Sequence, residues 1–127
     1  MRNIEYEMQK AIFEWADINT YKAPELKLLN ASLNGVKLTS QASGYKAKLA
    51  GLKKGYPDLF LPVARHSYHG LFIELKRDAN EALQIKRGSL TREQKWWLSE
   101  LERQGYLAKV CFGFKNTIET IKNYLKI

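Results

Sequence analysis

The chain has 127 residues, which suits one domain around one core, and carries 21 Lys and Arg against 13 Asp and Glu for a net charge of +8. That surplus points to a polyanionic partner, nucleic acid first and a membrane surface second, and leaves the fold open. A single cysteine, Cys111, excludes an internal disulfide and suits a reducing, cytoplasmic setting; with no apolar signal core and no stretch of membrane-spanning length, a soluble protein is expected.

Apolar residues Ile4, Met8, Ala11, Ile12 and Trp15 recur at helical spacing from Asn3 to Asp17, with Asn3 able to cap the start. Pro24 breaks any helix, and "LKLLNA" can form a short strand. The segment "TSQASGYKAKLAGLKKG" is basic and Gly-punctuated, with only a weak helical pattern. "PDLFLP" and "GLFIELK" read as two strands joined by the turn "RHSYHG", and "RDANEALQIKRGS" as a charged excursion. "LTREQKWWLSELERQG" predicts a helix capped by Thr91 and ended by Gly105. "YLAKVCFGF" is a strand, and "NTIETIKNYLKI" a final amphipathic helix capped by Asn116. Residues 1–127 are thus expected to form one α/β domain, a small central mixed sheet flanked by helices.

Side chains alternate along a strand, so Phe72, Glu74 and Lys76 share one face of "GLFIELK", and Asp58 and Phe60 share one face of "PDLFLP". If the strands pair with Asp58 beside Glu74, two carboxylates converge with an ammonium nearby. Like charges packed together raise one another's pKa, and a divalent cation such as Mg²⁺ or Mn²⁺ removes that penalty. Such a cation can polarise a phosphodiester, while the lysine orients or deprotonates the attacking water or neutralises developing charge. The bland alternative is a surface ion pair of Glu74 and Lys76, worth at most about 1 kcal/mol. Two strand-borne motifs in a basic chain favour the metal reading.

"GYPDLF" followed by "FIELK" resembles the PD-(D/E)XK, or restriction-endonuclease-like, nuclease core, with Asp58, Glu74 and Lys76 matching its signature. "GLKKGYPDLFLP", "LFIELK" and "SLTREQKWWLSELERQGYLAKVC" together resemble the VRR-NUC family, and the upstream "LLNASLNG" is similar to its early strand and loop. The resemblance implies a Mg²⁺- or Mn²⁺-dependent endonuclease that leaves 5′-phosphate ends on branched DNA such as Holliday junctions. It also implies a metal shell completed by the Leu75 carbonyl, and an active-site role for Gln94. A homodimer is expected because one centre cuts one strand, and short stand-alone members of the family point the same way. The connection from Lys76 to Gln94 departs from the family in being longer and more charged.

Gln94 also stands in a capping box with Thr91, so both roles stay open. Glu5, Glu7 and Glu14 of the first helix could each lend an acid to the metal; Glu7, just before Met8-Gln9, matches the family pattern, and solvated surface charge is the alternative. His66 and His69 lack the further ligands of a zinc site and read as loop histidines. Trp96 and Trp97 read as core and partner-face packing rather than as a base-stacking platform. Lys46, Lys48, Lys53 and Lys54 precede the acidic centre and Lys86, Arg87, Arg92 and Lys95 follow it, which suits phosphate contacts along DNA, although scattered lysines are commonly plain surface. The competing function is a non-catalytic nucleic-acid-binding module that kept a nuclease-like core.

Overall fold

A computed structural model of the protein describes residues 4–32 and 41–127. The proposed Asn3 cap, the end of "LLNASLNG" and the start of the basic segment lie outside these residues. Helix α1, Ile4–Ile18, buries Met8, Ile12 and Ala16. A 3₁₀ turn at Pro24–Leu28 follows, where a strand was expected; Leu26 and Leu29 are buried three residues apart while Leu28 is exposed, a helical rather than a two-residue period. Only Asn30–Ala31 remains as strand β1. Helix α2, Gln41–Leu49, buries no residue, which explains its faint signal.

Strands β2, Leu59–Leu61, and β3, Leu71–Lys76, pair antiparallel with Leu59 opposite Ile73 and Phe60 opposite Phe72. Helix α3, Arg92–Arg103, then leads to strand β4, Leu107–Phe112, which runs parallel to β3. The sheet order is β1-β2-β3-β4, so the sheet is mixed, and helices flank it as expected. Helix α4, Gly113–Leu125, begins before Asn116. That residue does not cap it; its side chain instead accepts from the Phe112 N–H at 2.8 Å.

The two faces of β3 separate structure from chemistry. Leu71, Ile73 and Leu75 join Leu59, Leu61 and Cys111 in a core closed by Met8 and Ile12 of α1 and Ile121 and Tyr124 of α4. On the other face Phe72 stacks on its cross-strand partner Phe60, with centroids 4.2 Å apart, and meets Tyr56 edge-on. Tyr56 in turn contacts Trp97 of α3. Glu74 and Lys76 continue this second face.

The excursion after β3 folds back as an arm. Asn80 and Ile85 exchange both backbone hydrogen bonds at 2.9 Å, Gly88 donates to the Arg77 carbonyl, and the Arg77 side chain donates to the Lys86 carbonyl. At its base a Cβ on Gly88 would sit 3.2 Å from the Lys76 stem, so the arm helps bury that lysine. Among the described residues no helix is long and apolar enough to cross a membrane.

Candidate active site

The antiparallel register of β2 and β3, continued one residue beyond Leu59 and Ile73, sets Asp58 across from Glu74. The strands part here because Pro57 lacks an N–H and cannot extend the ladder. Asp58 turns its side chain into the gap, where Oδ2 accepts the Leu75 N–H at 2.8 Å. The Glu74 carboxyl meets Asp58 through a side-chain hydrogen bond. Glu74 is only 3% exposed and Lys76 only 9%.

Burial pushes the Glu74 carboxyl up to about 10, and the hydrogen bond and charge of Asp58 push the same way. Lys76 opposes the rise, and Glu5 adds to it. The half-exposed Asp58 carboxyl set against the buried Glu74 carboxyl forms a donor set suited to a hard divalent cation. No third acidic, histidine or cysteine side chain completes a metal cage among the described residues.

These groups line a cleft of about 280 Å³, together with Leu75, Gly55, Tyr56 and Lys54. Helix α1 contributes Glu5 and Gln9, and α3 contributes Gln94 with its cap Thr91. Glu7 is not part of the wall. The buried stripe of α1 runs through Met8, Ile12 and Ala16, with Trp15 only partly buried, which turns exposed Glu5 and half-buried Gln9 toward the cleft and Glu7 away from it. An inward stripe drawn through Ala16 instead of Trp15 would have singled out Glu5.

Gln94 forms the capping box and also lines the cleft. Its Oε1 accepts the Thr91 N–H at 2.9 Å, and its own N–H donates to Thr91 Oγ1 at 3.2 Å. The capping box therefore occupies the amide oxygen and leaves the amide NH₂ as the group Gln94 can offer the cleft. Gly55 makes this approach possible. It has φ +89°, and a Cβ there would lie 2.7 Å from the Glu93 carbonyl carbon and 2.9 Å from the Gln94 nitrogen. Gly55→Ala is expected to destabilise the fold by about 2–4 kcal/mol, read by urea denaturation, because backbone rather than a flexible side chain must move.

Among the cations, Lys54 borders the cleft and pairs with Glu93 at 3.6 Å. Lys53 and Arg92 lie beside it around a neighbouring groove. Lys46 and Lys48 sit exposed on the last turn of α2, and Lys86 and Lys95 are exposed outside the cleft wall. Arg87 serves the fold. It lies 3.7 Å from the Phe112 ring centre and pairs with Asp78 at 3.6 Å, tying the arm to β4. His66 bonds the Tyr124 carbonyl at 2.8 Å, and His69 packs edge-on against Tyr106.

A mixed sheet that presents two carboxylates and a lysine on adjoining strands, between an N-terminal helix and a capped helix, defines a restriction-endonuclease-like core. The profile of the VRR-NUC domain matches residues 3–115, and the chain belongs to that family. A solved structure of a "VRR_NUC domain protein" is similar at 33% identity with a TM-score of 0.77, covering 99% of this chain and 91% of the other. No curated protein matches the chain in sequence. Membership makes this a nuclease-like domain, with nucleic acid as substrate class and divalent-metal chemistry as the general mode of the family.

Proposed function

We propose that the protein is a Mg²⁺- or Mn²⁺-dependent endonuclease that incises branched DNA such as Holliday junctions, working as a C2 homodimer. The observation that carries this reading is the half-exposed Asp58 set against the buried Glu74, beside buried Lys76 in an open cleft. Asp58 and Glu74 would hold the cation, with the Leu75 carbonyl, water and substrate oxygens filling the remaining positions and Glu5 adding negative charge at the rim. When bound, the cation supplies charge neutralisation at the phosphodiester and acidifies a water.

The protein's own residues do the rest. Lys76, buried under Gly88, orients the attacking water and balances developing negative charge. Gln94 donates its NH₂ to a phosphate oxygen. Lys54 and its basic neighbours dock the backbone without reading bases. Two such centres related by a dyad would cut opposed strands of a junction.

The test is a panel of four-way junction, flap, bubble and plain duplex at low salt with Mg²⁺, Mn²⁺ or EDTA. Incision of the junction above plain duplex, lost in EDTA, is expected, with a solution mass of twice the chain. Salt-sensitive binding with no metal-dependent incision would instead make the protein a binding module.

Proton linkage gives an independent check on the metal-free protein. Glu74 binds its proton more tightly folded, at about 10, than at the ordinary 4.5 of an unfolded chain. Its contribution to stability is therefore fully present below about 4.5 and is lost as pH rises toward about 10. The melting temperature in EDTA should fall from pH 6 to pH 9, and Glu74→Gln should flatten that slope. Metal affinity should rise over the same range, because the cation must displace the proton.

A further inference from the structure

Next to the cleft, and sharing Lys54 with it, lies a second groove of about 600 Å³. Trp96 and Trp97 line it, along with Lys53, Lys54, Arg92 and Glu93. Arg92 and Trp96, and likewise Glu93 and Trp97, are one helical turn apart, so both pairs stand on one face of α3. Trp97 is committed to the fold: its indole N–H donates to the Lys54 carbonyl at 3.1 Å and its ring meets Tyr56. Trp96 is different. It is braced edge-on by Trp97 at 5.2 Å, yet 57% exposed.

A large aromatic surface held in place and open to solvent, ringed by three cations and a single carboxylate, suits an aromatic polyanion. The charge argues against a second copy of the chain as its occupant, since each copy carries a net +8. Bases in an intact duplex have both faces covered by their neighbours. Only an unpaired or splayed base offers a face to an indole, and branch points are where such bases occur.

We propose that the Trp96 groove holds an unpaired base of the DNA strand entering the cleft, stacked on the indole, with adjoining phosphates on Lys53 and Arg92. The identity of the polyanion rests on the nuclease reading; the groove itself does not. Stacking on an indole tolerates any base, so this element selects for unpaired structure rather than for sequence.

The test is binding in EDTA, where cleavage plays no part, with labelled oligothymidylate and a fully paired duplex of equal length. Trp96→Ala should weaken oligothymidylate binding about tenfold and leave duplex binding within about twofold, while Trp96→Phe keeps most of the affinity. Oligothymidylate should quench tryptophan emission in the native protein, and that quenching should vanish in Trp96→Ala. A melting curve and the solution mass of each variant accompany the titration. Equal loss on both DNAs, no loss on either, or a changed mass with native DNA binding would overturn the proposal, the last making the groove a subunit contact. A native protein that binds and quenches but cuts nothing with either metal would refute the nuclease reading alone. Metal-dependent cleavage with binding indifferent to Trp96 would refute the groove alone.

Discussion

Asp58→Asn is expected to lower single-turnover cleavage about 10³-fold or more while raising the melting temperature of the metal-free protein. The two effects share one cause. Asparagine keeps the shape of aspartate, and its amide oxygen can still accept the Leu75 N–H that Asp58 now accepts at 2.8 Å. What disappears is a charge held half out of water against a buried Glu74 that keeps its proton at neutral pH when no metal is bound. The protein gains about 1–2 kcal/mol of stability, a shift of several degrees in a chain of this size, and loses the donor set for a cation. DNA binding in EDTA should persist, since a carboxylate facing phosphate has been removed. A variant that melts lower than the native protein in EDTA would show that the pair is a structural hydrogen bond and not a strained metal site.

Gln94→Glu is expected to separate capping from catalysis. Glutamate at this position of a capping box accepts the Thr91 N–H as well as glutamine does, so stability should change little. The remaining group facing the cleft then becomes a carboxylate oxygen in place of an NH₂ donor, and cleavage should fall about 10²-fold. Thr91→Ala gives the converse pattern, costing about 1 kcal/mol of stability through the cap. Melting curves and single-turnover rates on the same junction read both effects. Equal loss of stability and rate in Gln94→Glu would mean that Gln94 acts only through the helix start.

Elements governed by a strong short-range rule are legible in the sequence. Alternation along "GLFIELK" puts Glu74 and Lys76 on one face, and the bounding prolines confine "PDLFLP" to Leu59–Leu61. The Thr91 cap and the Gly105 stop both form, the latter at φ +92° where a Cβ would strike His69. Elements decided by tertiary packing are not legible. The facing of α1 turns on Ala16 being buried in preference to Trp15, and this moves the acid nearest the cleft from Glu7 to Glu5. Helix α4 starts at Gly113 because Asn116 reaches back to Phe112 instead of capping. The arm after Lys76 is held by backbone pairs and by Arg77 on a carbonyl, so it has no apolar period to read.

The most direct test of a cation held by Asp58 and Glu74 is calorimetric titration with Mn²⁺ in two buffers of different ionisation enthalpy. Expected is saturable binding that releases a proton to the buffer and is lost in both Asp58→Asn and Glu74→Gln. Binding of undiminished affinity in those variants, or binding without proton release, would contradict it.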